Sequence, residues 1–336
     1  MAEDYFIIEH EGHFSPDMMK EEEHLKHYRD YQRYKSSRLP FRIMTANNPK
    51  FQKEFIEGAM KMREILAKPM PESLIELMDH DGVDMLHIVP HRHGIHMKVD
   101  PKGTNMAFMI EACEKYPDRL RPGPVFEPST RGVDQAIWEL EYMVKEHGAT
   151  FGKMYLPGEA WLPNDKRYWP FYEKAQELGF MLGMHTGHGY VYGANTNASM
   201  PRHLDDVCRE FYDLKILAFH FGWPWHDDLN CLAGTYPNLY IGTSFLNNTI
   251  TCRPRFFAKL LGDAIMYAGV EKVIWSHEGA LASPSINAFK EFQFSESLQE
   301  DYGYAPLTTE DKAKIFGLNM AGLLGIEPTK RAKPLP

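Results

Sequence analysis

The sequence predicts an α/β protein that folds as a single (β/α)8 barrel of the TIM type, and three observations support this fold class. Short apolar runs alternate with longer amphipathic segments, which is typical of repeated βα units around a parallel sheet. Several of the short runs are apolar throughout, as expected for strands that are buried on both faces. The short runs number eight in total. Eight strands with helices between them fit a closed barrel better than an open sheet.

The elements follow from these two patterns in chain order. The predicted strands are Phe6–His10, Asp84–Pro90, Leu120–Phe126, Thr150–Leu156, Phe180–His185, Leu214–Phe221, Asn238–Ser244 and Lys272–Ser276. The predicted helices are Phe51–Leu66, Pro71–His80, Asn105–Tyr116, Val133–His147, Tyr168–Leu178, His203–Tyr212, His226–Tyr236, Arg253–Ala268 and Thr308–Leu324. Thr308 or Thr309 is the expected N-cap of the last helix, because a hydroxyl there can accept from the first free backbone N–H groups.

Two segments of the single domain, residues 1–336, fall outside the alternation. Residues 14–70 form a helical insertion after the first strand, in which Met18–Lys35 is highly charged and contains interleaved tyrosines. One interpretation is a solvated helix that packs on the barrel or on another subunit, because charge runs usually face solvent. The other is a lid, because loops at that end of a barrel build active sites. Residues 327–336 form a short basic tail.

Composition excludes several kinds of partner. The net charge is -9, so the chain has no general attraction to nucleic acid. No run of about 18 apolar residues is present that could cross a membrane, and the first residues show no signal-peptide pattern. The four cysteines form no close pair, as expected for reduced thiols in the cytoplasm.

Histidines and carboxylates cluster where the predicted strands end. In a barrel these carboxyl ends converge on one pocket, and neutral imidazole with carboxylate is a common ligand set for Zn2+ or Mn2+. A single histidine is more often structural, but a cluster at five strand ends is hard to explain by packing. The candidates are His10, Glu11, His13, His91, His93, His96, Glu127, Lys153, Tyr155, Glu159, His185, His188, His220, His226, Ser244, His277 and Glu278.

Glu11 and His13 are separated by one glycine directly after the first predicted strand. Residues i and i+2 of an extended segment point to the same side, so both side chains can reach one ion. Gly12 leaves the backbone between them unhindered. An E-x-H motif is weak alone, and its position after a strand makes it informative.

Several stretches resemble a known family. They are IIEHEGHF (7–14), LIELMDHDGVDMLHIVP (74–90), NDKRYWPFYEKAQELGFMLGMHTG (164–187), LKILAFHFG (214–222) and KIFGLNMAGLLGI (314–326). Together they resemble the branch of the amidohydrolase superfamily that contains aromatic-acid decarboxylases, aminocarboxymuconate semialdehyde decarboxylases and related hydratases and carbon–carbon hydrolases. The resemblance runs from the first strand to about Ile326, outside the insertion and the tail.

This resemblance implies roles for five residues. Glu11 and His13 occupy the family's metal pair on the first strand, and His185 matches the fifth-strand ligand. His220 matches the sixth-strand histidine, which is a second ligand or holds the substrate. Many members have aspartate after the eighth strand, whereas this chain has Ser276-His277-Glu278, so Glu278 is either a ligand or the general acid/base.

Four further residues are candidates for substrate binding. Lys153 could contact a substrate carboxylate or form a salt bridge in the barrel mouth. His188 could support the metal site or simply lie in a loop, and His91 could bind an acidic substrate or be a surface histidine. Arg253 is another candidate for binding an anion.

The resemblance implies a reaction class. We expect a decarboxylase of an aromatic or unsaturated carboxylic acid, in which one Zn2+ or Mn2+ chelates the substrate and Glu278 supplies the acid/base group. Glutamate after the eighth strand keeps open a hydrolase or hydratase that uses water activated by the metal. A non-catalytic metal-binding barrel is the third alternative. The expected partner is a small carboxylic acid, and the family resemblance implies a homo-oligomer, a dimer or tetramer.

Overall fold

Every predicted strand region overlaps a strand, and all strand pairings among the described residues are parallel. The first strand ends two residues later than predicted, so Glu11 and Gly12 lie within it. The computed structural model describes residues 4–14, 42–43, 45–90, 104–188, 194–278 and 282–329. The strands are β1 (Ile8–Gly12), β2 (Met85–Ile88), β3 (Leu120–Pro122), β4 (Val125–Phe126), β5 (Phe151–Met154), β6 (Met181–Met184), β7 (Ile216–Ala218), β8 (Leu239–Gly242) and β9 (Val273–Ile274).

The third predicted strand is divided into β3 and β4 at a proline. Pro124 has no N–H group for a ladder, so the two short strands belong to different hydrogen-bonded sheets, β1-β2-β3 and β4 to β9. The residues at the break still form backbone hydrogen bonds with the strands on either side, β2 and β5. Gly123 N donates to Ile88 O at 3.0 Å, and Pro124 O accepts from Lys153 N at 2.8 Å. The two sheets are therefore continuous through one stretch of chain.

Helices alternate with the strands, close to the predicted bounds. They are α1 (Pro49–Leu66), α2 (Glu72–Asp81), α3 (Thr104–Lys115), α4 (Pro128–Arg131), α5 (Val133–His147), α6 (Trp169–Glu177), α7 (Leu204–Glu210), α8 (His226–Thr235), α9 (Thr249–Cys252), α10 (Pro254–Ala268), α11 (Ser283–Glu291), α12 (Glu296–Tyr302), α13 (Thr309–Ala313) and α14 (Asn319–Leu324). Short 3-10 helices cover Leu156–Gly158, Lys166–Tyr168, Thr196–Ser199, Pro201–His203, His220–Gly222, Leu246–Asn248 and Val270–Lys272. Among the described helices, none combines the length and the apolar character that crossing a membrane requires.

The C-terminal region differs from the prediction. The predicted helix Thr308–Leu324 is three consecutive helices, because a π-helical turn at Lys314–Leu318 separates α13 from α14. Thr308 is the N-cap, and it exchanges hydrogen bonds with Asp311 in a capping box. Helices α11 and α12 were not predicted. The predicted Met18–Lys35 helix and residues 330–336 of the tail lie outside the described residues.

Apolar side chains cover both faces of the strands. A large cluster packs the outer face against the surrounding helices. A second cluster takes its buried residues from the strands, from the residues beside them and from α14, but from no other described helix. Its members include Ile8, Val125, Phe151 and Met181. This second cluster therefore fills the space that the strands enclose, and α14 packs against it.

The first strand contains an irregularity in its pairing with the second. Glu9 lies opposite Leu86, but the next pair joins Gly12 to Ile88. Three residues of β1 thus advance against two residues of β2, as in a β-bulge. An extra residue reverses the alternation of side chains beyond it.

The bulge decides which side of the sheet Glu11 faces. Ile8 belongs to the inner cluster, so strict alternation would turn Glu11 outward, and the extra residue turns it inward. Gly12 permits this because β2 approaches closely. A Cβ at Gly12 would lie 2.7 Å from Leu86 Cδ2 and 2.9 Å from the carbonyl oxygen of His87.

We predict that Gly12→Ala lowers the free energy of unfolding by about 1–3 kcal/mol, because the new methyl group would overlap β2. Gly322 in α14 is the matched control, since an added Cβ there meets nothing within 4 Å. Gly322→Ala should stabilise the protein by about 0.5–1 kcal/mol, because alanine loses less backbone entropy in a helix. Urea denaturation measures both, and equal effects of the two changes would contradict the close approach at Gly12.

Candidate functional site

Polar side chains from five strands meet inside the carboxyl end of the barrel. Glu11 comes from β1, Lys153 from β5, and His185, His220 and Glu278 from the residues that follow β6, β7 and β9. All are buried or nearly so. The convergence of parallel strands therefore brings together residues that the sequence analysis selected separately.

Glu11 forms a buried ion pair with Lys153. The Lys153 ammonium donates to Glu11 Oε1 and lies 3.2 Å from His13 Nε2. His13 Nδ1 donates to the carbonyl oxygen of Val89 at 2.9 Å, which leaves the Nε2 lone pair directed toward this group. The other oxygen of the carboxylate, Glu11 Oε2, has no hydrogen-bond partner among the described residues.

His185 and His220 face each other in an arrangement that favours a cation. His185 Nδ1 and His220 Nε2 are 3.1 Å apart. The second nitrogen of each ring contacts a carbonyl oxygen, that of His188 at 3.4 Å and that of Ser244 at 3.2 Å. The Ser244 hydroxyl also lies 3.1 Å from His220 Nδ1. In the tautomer in which both rings donate to these carbonyl oxygens, the two facing nitrogens direct their lone pairs at each other. A metal ion that binds both nitrogens would remove the repulsion, and histidine ligands commonly donate to carbonyls in this way.

Within this site two overlapping groups of residues could hold a metal ion, and Glu11 belongs to both; a third group of the described residues, His226, Asp227 and Asp263, shares no member with them. One group is Glu11, His185 and His220, and the other is Glu11, His13 and Glu278; the ligand atoms in each lie within 4.8 Å of one another. Carboxylate oxygen and imidazole nitrogen suit Zn2+ and Mn2+. The opposed imidazoles and the free Glu11 Oε2 show that the residues fit such an ion.

Charges in the site favour the ligand forms of these groups. Burial opposes ionisation of Glu11, but the Lys153 ammonium and His220 hold the pKa of this carboxyl well below its usual range. Burial lowers the pKa of His220 to about 4, and it lowers the pKa values of His13 and His185 as well. At neutral pH the site therefore contains a carboxylate and three neutral imidazoles, which are the forms that bind metals.

Glu278 has a different charge state from Glu11. Burial, together with the negative charge of Glu11, raises the pKa of Glu278 to about 8, so without a metal ion its carboxyl group holds a proton more readily than that of Glu11. A protonated carboxyl group donates a proton and is a poor metal ligand. The two carboxyl groups of the site are therefore suited to different tasks.

The backbone is strained at three of the strand ends that form the site. His220, Phe245 and Glu278 have φ angles of 60°, 60° and 65°, in the left-handed region that residues other than glycine rarely adopt. Such strain persists where surrounding contacts fix the conformation, and it is concentrated at functional sites. The strained residues follow β7, β8 and β9 in turn, which makes this rim of the barrel the best candidate for the site.

The loops after β6 and β7 are packed against each other. His188 N donates to Trp223 O at 2.9 Å. Gly187, with φ of 82°, lies so near that a Cβ would be 2.4 Å from Trp223 O. The His188 carbonyl accepts from His185, so the predicted substrate residue His188 contributes at least its backbone to the orientation of a donor ring.

Two other predicted substrate residues are not brought to the site by the described contacts. The Arg253 guanidinium lies 3.9 Å from the centroid of the Phe256 ring, which it covers; among the described contacts none joins it to the donor residues. His91 lies outside the described residues. Lys153 is in the site, where its ammonium binds Glu11.

Sequence reasoning missed Glu9 and did not select Tyr155 for a role. Glu9 is buried within a strand and accepts four hydrogen bonds around the site. An acidic residue inside an apolar strand was the signal that could have identified it, since unpaired buried carboxylates are costly. The Tyr155 ring lies edge-on to His185, with centroids 4.7 Å apart.

Comparisons with known proteins identify a family and a fold. A family model described as amidohydrolase matches residues 93–326. A search of curated proteins finds no significant match. An uncharacterised TIM-barrel protein from Bordetella bronchiseptica has 17% identity, covers 95% of this chain and 98% of its own, and superposes with a TM-score of 0.62. The predicted barrel fold is thereby confirmed.

Two solved enzymes are similar to the chain at the same level. One is a dihydroxybenzoic acid decarboxylase from a Polaromonas species with bound manganese and the inhibitor 2-nitroresorcinol, at 17% identity, 96% and 97% coverage and a TM-score of 0.60. The other is a 4-oxalomesaconate hydratase from Rhodopseudomonas palustris, at 17% identity, 95% and 96% coverage and a TM-score of 0.58.

We predict about one manganese or zinc ion per chain after purification or reconstitution, because the donor set fits one such ion. Elemental analysis should find the metal in the wild type and lose it in the His13→Ala, His185→Ala double variant. His147→Ala, on α5, is the control and should retain the metal. Absence of metal from the reconstituted wild type would contradict the assignment of these donors.

We also predict that metal and Lys153 neutralise the same charge. Lys153→Met should unfold about 3 kcal/mol more easily without metal, because Glu11 loses its buried partner. Excess Mn2+ should restore most of this loss, since the ion supplies positive charge beside Glu11. Thermal unfolding with EDTA and with Mn2+ measures both states. Lys145→Met, which removes an exposed lysine paired with Glu141, should change stability by less than about 1 kcal/mol in either condition. A Lys153→Met deficit that Mn2+ leaves unchanged would sink the idea.

Proposed function

The chain belongs to the amidohydrolase family, and from this premise we propose that it is a metal-dependent decarboxylase of an aromatic or unsaturated carboxylic acid. Family membership makes the chain an enzyme, so a non-catalytic metal-binding barrel is not retained. The observation that carries the proposed reaction is the position of the Glu278 carboxyl group beside the donor residues, where burial raises its pKa. Decarboxylation needs such a group, because the carbon that loses carbon dioxide must gain a proton.

The ligand roles in this proposal follow from charge. Glu11, His13 and His185 would hold the ion, with His220 beside His185 as a further donor. When bound, a divalent ion would supply positive charge, and the substrate carboxylate and a neighbouring oxygen would both bind to it. Glu278 would be the proton donor rather than a ligand, because burial and the Glu11 carboxylate raise its pKa.

Residues around the donors support a planar, anionic substrate. Tyr155 contacts the His185 ring edge-on, and the Phe245 ring lies 6.5 Å from that of His220. We propose that these two rings contact a flat substrate ring through apolar and edge-to-face interactions. Lys153 pairs with Glu11. When Glu11 also binds the ion, the Lys153 ammonium would be able to contact a substrate carboxylate. Like the manganese enzyme from Polaromonas, the chain would use Mn2+, with Zn2+ as the alternative.

Hydration of an unsaturated acid is the second candidate. In this reaction a bound ion would activate a water molecule, and Glu278 or His220 would accept its proton as the general base. The similarity to a hydratase supports this reaction as well. A related hydrolase would need the same base.

The proposal includes a reducing, cytoplasmic location and a homo-oligomer. Its support is chemical for the first point: all four cysteines are free thiols, and Cys113, Cys208 and Cys252 are buried. The oligomer, a dimer or tetramer, rests on the family resemblance alone.

The decisive experiment incubates the Mn2+-loaded protein with a panel of hydroxybenzoic and unsaturated carboxylic acids in D2O. Decarboxylation predicts released carbon dioxide and one deuterium at the carbon that carried the carboxylate. Hydration predicts a product that retains the carboxylate and contains an oxygen atom from water. Turnover of no acid in the panel, by a correctly folded and metal-loaded protein, would reject both candidates.

We predict that Glu278→Gln lowers kcat by about 100-fold or more, because an amide cannot deliver the proton. The fold and the metal content should be retained, as checked by circular dichroism and elemental analysis. Glu159→Gln is the control, since Glu159 is also buried but binds Ser129 and Tyr168 instead of the donor residues. Equal activity of the two variants would remove Glu278 from the mechanism.

A further inference from the structure

We propose that Glu9 is a positioning residue that joins the first and last strands of the barrel and holds Glu11 and Glu278 in register for catalysis. This inference rests on the proposed function, because Glu278 and Glu11 are its proton donor and metal ligand. Glu9 itself need not touch the substrate. Its effect would be exerted through the backbone of the segments that carry the other two carboxyl groups.

Four hydrogen bonds to the Glu9 carboxylate carry the proposal. Oε1 accepts from Glu11 N at 3.0 Å, from Ser276 Oγ at 2.7 Å and from Glu278 N at 3.3 Å. Oε2 accepts from His277 N at 2.6 Å. The side chain is 4% exposed, so these donors replace the water that a carboxylate would otherwise bind. Two of the four donors are the backbone N–H groups of Glu11 and Glu278 themselves.

The location of these bonds explains why a side chain is needed. Among the described residues no backbone ladder joins β9 to β1, although these are the first and last strands of the barrel. The segment from Ser276 to Glu278 is held on the β8 side, where Thr243 Oγ1 accepts from Ser276 N at 3.2 Å and Asn247 Nδ2 donates to Ser276 O, but within the described part of the chain it has no sheet partner on the β1 side. Glu9 supplies that partner from the middle of β1, and the bulge next to it leaves Glu11 N free to donate to the same carboxylate.

The backbone of Glu278 needs such a restraint. Its φ of 65° is costly for glutamate and persists only where neighbouring contacts over-determine it. Three of the four bonds of Glu9 act on Glu278 or on the two residues before it. Weakening them should allow Glu278 to relax, which would displace the proton donor relative to Glu11.

Glu159 provides a matched comparison. It is a glutamate buried to the same degree, 3% exposed, and its carboxylate joins two chain segments by accepting from Ser129 N at 2.8 Å and from the Tyr168 hydroxyl at 2.9 Å. None of these groups is a donor residue of the site. A merely structural role predicts similar consequences for the loss of either carboxylate.

The test compares Glu9→Gln, Glu159→Gln and Ser276→Ala with the wild type. Mn2+ affinity is measured by competition with a chelator, Mn2+ geometry by electron paramagnetic resonance, and folding by urea denaturation. We expect Glu9→Gln to weaken Mn2+ binding by about 10- to 100-fold, as changes in groups that orient ligands commonly do, and to alter the Mn2+ spectrum. Under conditions in which all variants are folded, Glu159→Gln should leave both unchanged. Where Mn2+ is saturating, kcat of Glu9→Gln should fall more than KM rises.

Ser276→Ala keeps the inference testable if Glu9→Gln does not fold. It removes only the Oγ donor and leaves the three backbone bonds, so an intermediate loss of Mn2+ affinity is expected. Wild-type affinity and an unchanged spectrum in either Glu9→Gln or Ser276→Ala would overturn the positioning role. An active wild type with an unaffected Glu9→Gln rejects this inference alone. A wild type that binds Mn2+ but turns over no acid rejects the proposed function alone, because affinity and spectrum still report on Glu9.

Discussion

The first and last strands of this barrel are tied together by one buried carboxylate. Glu9 accepts hydrogen bonds from β1 and from the segment after β9, where the described residues show no backbone ladder. Burying a carboxylate is costly, and four donors offset that cost. We call this junction of β1 with the segment after β9 the seam. The candidate site begins at the seam, because the two segments that Glu9 joins contain Glu11 and Glu278. The geometry of the site therefore depends on whether the seam holds.

The seam also places three carboxyl groups close together in a buried region, where their negative charges repel one another. Among the described residues, Glu9, Glu11 and Glu278 share a buried region with one ammonium group, that of Lys153, so they do not ionise equally. Lys153 pairs with Glu11 and keeps its pKa low. Burial raises the pKa of Glu9 to about 7 and that of Glu278 to about 8. Carboxyl groups with separated pKa values can divide the roles of ligand and acid between them.

Packing around the strand ends makes the polar site compatible with a stable barrel. Directly beneath it the inner cluster, with Phe151 and Phe219, fills the enclosed space, and the ammonium of Lys153 lies 5.0 Å from the centroid of the Phe219 ring. Apolar walls strengthen every charge interaction above them, because they exclude water. They also keep the nearby histidines neutral. The fold thus supplies the low-polarity surroundings in which imidazole and carboxylate can compete for a metal ion.

The sequence by itself determined the class of fold, the eight strand regions and most helix bounds, because apolar periodicity reports local burial directly. It also selected Glu11, His13, Lys153, His185, His220 and Glu278, since parallel strands must bring their carboxyl ends together. Only the tertiary structure decided how these residues interact. The bulge that turns Glu11 inward, the Lys153 pair formed 142 residues away and the Glu9 contact spanning 267 residues all arise from pairing between distant segments. No local pattern encodes such pairing, because its energy exists only once the barrel has formed.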